Sequence, residues 1–388
     1  MSQMVTQSSV ETLARLVAFP TVSRESNELL IRYAAERLSA AGGRVRVLPG
    51  EFAGKTNLIA SFGPDGEDGI VLSAHSDVVP TDGQKWTNDP FVLTEREGRL
   101  YARGASDMKG FVACMLTVAD SLRDARLARP LHIAISHDEE TGCIGVRSML
   151  QRLAAEGFRA SGCIVGEPTE LAIATGHKGK IAARIHCQGQ AAHSANPALG
   201  CNAINLAASM IRETEALQEW LIRNGAHDAA YSAPYSTVHV GTIAGGTALN
   251  IVPDSCNVGF EIRLMPGDSP DDLLARLAAR GQELATAARS GGHTAAIEVS
   301  VQYTYPGLQT EENTPIARLV RQAGGGTAPA LKLNFGTEGG LFNDMLGVPT
   351  VVCGPGSIDR AHKPDEFITR DELAAGDAFL DRIVHTLR

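Results

Sequence analysis

Apolar residues recur along the chain in two rhythms. Val10, Leu13, Leu16 and Val17 fall on one helical face, with Ser8 and Glu11 at capping-box spacing before them and Phe19-Pro20 after. The pattern predicts a second helix over 25–41, stopped by Gly42-Gly43 in the left-handed conformation. Short apolar runs at 44–48, 57–62, 69–74 and 131–136, bounded by turn residues, predict strands of a buried sheet, with helices near 108–124 and 143–157. This first half is α/β.

From about 180 the rhythm changes. Strands are expected at 180–187, 237–243, 257–264 and 295–304, and helices at 202–215 and 271–286. That β-α-β-β-α-β order is the split βαβ of a ferredoxin-like sandwich, which leaves one face of its sheet uncovered. A helix at 314–323, a strand at 350–353 and a helix at 370–387 then resume the α/β pattern, and Gly324-Gly325-Gly326 reads as a turn. The division is therefore 1–179 and 306–388 for a larger domain, with 180–305 inserted into it.

Composition narrows the function classes. A length of 388 residues allows roughly two to three domains, and 44% hydrophobic with 20% charged residues describes a globular chain. With 35 Lys and Arg against 44 Asp and Glu, the net charge of -9 disfavours nucleic acid and anionic membranes as main partners. Seven scattered cysteines without CxxC fit neither a disulfide framework nor a zinc ribbon, and favour a reducing cytoplasm. Neither a leader nor a membrane span is expected, because no apolar stretch approaches the ~18 residues a span needs.

Four segments place metal-type ligands where strands run out into loops. They are His75 and Asp77 after the run at 69–74, Asp107 at the start of a helix, Asp138-Glu139-Glu140 after the run at 131–136, and Glu167 after Cys163-Ile164-Val165. Taken singly, each is equally an ordinary strand end, helix cap or solvated turn. Together they coincide where an open α/β sheet gathers its ligands, beyond the carboxyl ends of its strands. A fifth segment, past Gly354, adds His362. Two histidines with several carboxylates suit two divalent metals bridged by a carboxylate, and ligand type alone leaves zinc, cobalt and manganese open.

The ordered set HSDVVP at 75, ASDMKG at 105, DEETG at 138, GEPTE at 166, QAAHSANP at 190, NIVPD at 250, EIRLMPG at 261 and GPGSIDRAHKPDEF at 354 resembles the M20 metallopeptidase family. Within it, GEPTE, GHKGK at 176, FGTEGGLF at 335 and AHKPDEF are most similar to the acetylornithine deacetylase branch. The resemblance implies a zinc-peptidase-like catalytic domain, a mixed central sheet flanked by helices, carrying an inserted ferredoxin-like dimerisation or lid domain. It implies two divalent ions, zinc with cobalt as the alternative: His75 and Glu167 on one, Glu140 and His362 on the other, and Asp107 between them, followed by a cis peptide at Asp107-Met108. Asp77 would orient His75, and Glu139 would be the general base. In similar proteins the insert forms a homodimer, and His193 reaches the partner's site to stabilise the tetrahedral intermediate. Arg263 would bind the substrate α-carboxylate, with Asn250 beside it. Glu338, flanked by glycines, is the candidate for an ornithine ammonium. The expected reaction is deacetylation of N2-acetyl-L-ornithine in arginine biosynthesis. The alternatives are succinyl-diaminopimelate or another N-acyl amino acid as substrate, or a silent amino-acid-binding scaffold.

Overall fold

The runs Ile70–His75 and Leu131–Ser136 are buried at every position, as strands covered on both faces must be, and they pair in parallel. They lie in a nine-stranded mixed sheet. Its order is Arg44–Pro49, Thr56–Phe62, Leu131–Ser136, Ile70–His75, Gly162–Pro168, Thr350–Gly354, Ala174–His177 and Leu308–Gln309, with Leu331–Leu333 branching from Ala174–His177. The central pairs are parallel, so the strands ending at His75, Ser136, Pro168 and Gly354 present their carboxyl ends along one edge. This computed structural model describes residues 8–123, 125–324 and 328–388. The turn expected at 324–326 falls largely on residues outside that range.

Helices flank the sheet. Ser9–Val17, Lys109–Asp120 and Arg370–His385 pack on one another, and Ile144–Ala155 packs against Gly339–Leu346. The first helix is capped as its sequence predicts: Glu11 N donates to Ser8 Oγ at 3.3 Å, and Ser8 N donates to Glu11 Oε2 at 3.1 Å. Gly42, after the helix Glu28–Ala40, takes φ +89°, a conformation that suits glycine. All seven cysteines are free and buried. Among the described residues no helix is long and apolar enough to cross a membrane.

The chain divides into two compact units. One holds 1–176, 308–332 and 337–388; the other holds 177–307 and 333–336. The second unit is a four-stranded antiparallel sheet in the order Thr237–Gly245, Ser255–Leu264, Gly179–Gln188 and Ala296–Tyr305, with helices Ala203–Asn224 and Pro270–Ser290. Ile181, Ala183, Ile185 and Cys187 join the helices in its core, while the alternate residues Arg184 and Gln188 are exposed. Its first helix runs nine residues beyond the expected end at 215, because Leu217 and Leu221 continue the buried stripe past the charged Glu213-Thr214-Glu215.

Candidate metal centre

Five chain segments deliver side chains to the carboxyl edge of the large sheet. His75 ends its strand, Glu167 is the penultimate residue of the strand Gly162–Pro168, and the strand Leu131–Ser136 leads directly into His137-Asp138-Glu139-Glu140. Asp107 precedes the helix Lys109–Asp120 at a cis peptide with Met108. His362 lies beyond Thr350–Gly354 with φ +61°.

Asp107 faces an imidazole with each oxygen. Its Oδ1 is 3.2 Å from His75 Nε2, and its Oδ2 is 3.4 Å from His362 Nε2. His362 Nε2 also lies 3.1 Å from Glu140 Oε1, and His75 Nε2 lies 4.0 Å from Glu167 Oε1. The ligand atoms of His75, Asp107 and Glu140 all fall within 4.8 Å of one another, as do those of His75, Glu139 and Glu167. Each trio could hold a cation.

The electrostatics favour cations. Burial, with Glu140 and Asp77 close by, pushes Glu139 up to about 8. Burial and the charge of Asp107 raise Glu140 and, more strongly, Glu167. Burial alone would lower the His75 imidazole, but Asp107, Asp77 and Glu167 outweigh it and hold it well above its ordinary range. Asp107 and Glu140 push His362 up to about 10. So many carboxylates ionise together only against positive charge, which protons supply here and divalent cations supply better. Thiolate is missing from the donor set: burial and Glu139 hold the thiol of Cys143, 3.2 Å from Glu139 Oε1, well above its ordinary range. Imidazole and carboxylate donors fit zinc, cobalt or manganese.

Residues behind these side chains fix them. His75 Nδ1 lies 2.9 Å from the carbonyl oxygen of Asp77 and 3.5 Å from its carboxylate. That carboxylate accepts from Ser23 Oγ at 2.7 Å, Glu139 N at 3.0 Å and Glu140 N at 3.3 Å, so it anchors the backbone of the acidic loop. Lys55 Nζ, 2.7 Å from Asp138 Oδ1 and buried with it, holds the same loop from the other side. Sequence reasoning missed Glu366. It is 1% exposed, and it accepts from the backbone N–H groups of Gly104, Ser106 and Asp107 at 2.9–3.0 Å and from Arg103 Nη1 at 2.7 Å. Its one signal in the sequence was an acid four residues after His362.

Glu338, expected at a substrate ammonium, is 1% exposed, and its two oxygens accept hydroxyl hydrogen bonds from Ser73 and Ser136, each at 2.6 Å. Two of the glycines that follow it open the helix Gly339–Leu346. The remaining expected residues belong to the second unit. His193 and Asn250 come together there: the strand Ala192–His193 pairs with Ile251–Val252, and Ser194 N donates to Asn250 O at 3.1 Å. Arg263 Nε donates to Glu261 Oε1 at 2.9 Å, and its side chain is 29% exposed.

Comparisons with known proteins bear on this arrangement. The model for Peptidase family M20/M25/M40 matches residues 71–386. An acetylornithine deacetylase of Edwardsiella ictaluri (strain 93-146) is 35% identical over 380 residues, covering 95% of each chain. Another, of Pasteurella multocida (strain Pm70), is 34% identical over 386 residues, covering 97% of each. Among solved structures, an M20 family metallo-carboxypeptidase from Sulfolobus solfataricus matches with a TM-score of 0.76 and 20% identity over 99% of both chains. A dinuclear metal binding peptidase of the M20 family from Bacillus subtilis matches with a TM-score of 0.69 and 16% identity, over 98% of this chain and 97% of that one.

Proposed function

This chain belongs to peptidase family M20/M25/M40 and is a metal-dependent amidohydrolase, and from that premise we propose that it converts N2-acetyl-L-ornithine and water to L-ornithine and acetate. The observation that carries the substrate is the 34–35% identity to acetylornithine deacetylases along nearly the full length of both chains. In this reading the activity belongs to arginine biosynthesis in the cytoplasm, and the protein is a homodimer through 180–305.

An amide is a weak electrophile and neutral water a weak nucleophile. Two divalent cations, zinc or cobalt, supply the correction when bound: they acidify water and stabilise the attacking and developing oxygens. His75 and Glu167 would hold one, Glu140 and His362 the other, and Asp107 both. Asp77 holds the Glu139-Glu140 backbone in place. Glu139 takes the proton from the attacking water as its oxygen bonds to the acyl carbon, then hands that proton to the amine nitrogen as the C–N bond breaks. Arg263 and Asn250 take the substrate α-carboxylate, a planar guanidinium being suited to it, and His193, reaching the site of the other copy in the homodimer, takes the developing oxyanion.

Acetate release measured with metal-reconstituted wild type and Glu139→Gln tests both halves of the reading. The variant is expected to lose about 10² to 10⁴ in kcat, and wild type to prefer N-acetylornithine over N-succinyl-diaminopimelate. An unimpaired Gln variant overturns the base; comparable desuccinylation overturns the substrate.

A further inference from the structure

Glu338 sits in an unusual place for a carboxylate. It lies at the start of Gly339–Leu346, 1% exposed, and its neighbours Ser73 and Ser136 are fully buried. Both serines belong to the two strands that feed the metal centre. Ser73 is two residues before His75, so the two share a face of the strand, and Ser136 is paired in register with His75 across the sheet. The carboxylate thus spans the last rung between Ile70–His75 and Leu131–Ser136, on the same face as the imidazole. Immediately beyond Ser136 lies the segment carrying Glu139 and Glu140. Burial pushes the Glu338 carboxyl up, while the two hydroxyls and the charge at His75 pull it down, so it is electrically coupled to the imidazole as well as joined to its strand.

We propose that Glu338 is a positioning residue for the metal centre, fastening together from within the fold the two strand ends that present His75 and the Glu139-Glu140 segment. The inference rests on reading the carboxyl-edge cluster as a metal centre. Ligands in such centres depend on the groups behind them for orientation, and loss of such a partner typically costs about 10- to 100-fold in metal affinity or activity. Relaxing the rung would let His75 drift relative to Glu140, so cation affinity is the quantity that responds.

The test uses the full chain stripped of metal and titrated with zinc in equilibrium dialysis. Glu338→Gln keeps the shape and replaces one acceptor with a donor, and the double variant Ser73→Ala with Ser136→Ala keeps the carboxylate and removes both hydroxyls. Each is expected to bind zinc about 10- to 100-fold more weakly, to lose kcat at limiting zinc and regain it at saturating zinc, and to keep KM. The thermal midpoint of the metal-free variants is the control: a merely structural role would move that midpoint and leave zinc affinity unchanged, which overturns the proposal. A higher KM for N-acetylornithine but not for N-acetylmethionine, with zinc affinity intact, also overturns it and returns Glu338 to the substrate. Should wild type itself take up no zinc, the metal-centre reading fails; should wild type bind and both variants match it, only the role of Glu338 fails.

Discussion

Asp107 keeps its side chain available because Glu366 takes its backbone. Three amides of 104–107 converge on one buried carboxylate, so the loop is held by the main chain and both Asp107 oxygens remain free for the imidazoles. The protons around it set a pH dependence. Glu139 at about 8 and His362 at about 10 hold protons at neutral pH in the absence of cations, and Glu140, Glu167 and His75 are shifted upward as well. Cation binding must expel those protons, so affinity rises with pH and falls as pH is lowered. Each proton displaced contributes about tenfold per pH unit. Competition titrations between pH 6 and 8 are expected to show a slope of at least one; a flat profile would contradict it. His75, Asp107, Glu140, Glu167 and His362 were legible in the sequence because each follows an apolar run or opens a helix. Glu366 and the serine partners of Glu338 were not, since the groups that meet there lie between 202 and 265 positions apart in the chain, where no periodicity connects them.

Strands approach each other closely where the centre is built, and glycine makes the approach available. A Cβ on Gly354 would lie 2.2 Å from Gly166 O and 2.7 Å from Glu167 O, and one on Gly166 would lie 1.8 Å from Phe111 Cδ1. Backbone atoms have no rotamer with which to move aside. Gly354→Ala is therefore expected to destabilise the fold by about 1–3 kcal/mol and to displace Glu167, read as a lower urea midpoint together with weaker zinc uptake. Unchanged zinc affinity would show that the strand yields without moving its ligand. Most long elements were readable: buried strands from unbroken apolar runs, and helices from stripes and caps such as Ser8-Glu11. The pairs Ala192–His193 with Ile251–Val252, and Thr94–Arg96 with Arg99–Tyr101, were not, because two or three residues carry no period. Gly339–Leu346 was hidden by its own glycines.

At the scale of the whole molecule, the acidic surplus is concentrated in part at one edge of one unit, while the second unit has its own core of Ile185, Met210, Phe260, Leu277 and their neighbours. Cations that bind only the folded larger unit stabilise it by mass action, about 2.7 kcal/mol for each at a free concentration 100-fold above Kd. Chelation is expected to lower the thermal midpoint and to leave the proposed homodimer intact in sedimentation. Dissociation on chelation would place the dimer contacts under the control of the metal centre instead. The larger unit is also discontinuous. Thr350–Gly354 slots between Gly162–Pro168 and Ala174–His177, although some 180 residues of chain separate it from the strand it pairs with in parallel. On a ribosome adding about 5–20 residues per second, that gap takes on the order of 10 to 40 s. Throughout it, the nascent sheet has an unfilled slot with a bare edge on Gly162–Pro168, which invites mispairing with any extended segment nearby. His362 emerges after the strand that closes the slot, so the ligand role proposed for it would begin only once the chain's most vulnerable interval during synthesis is over.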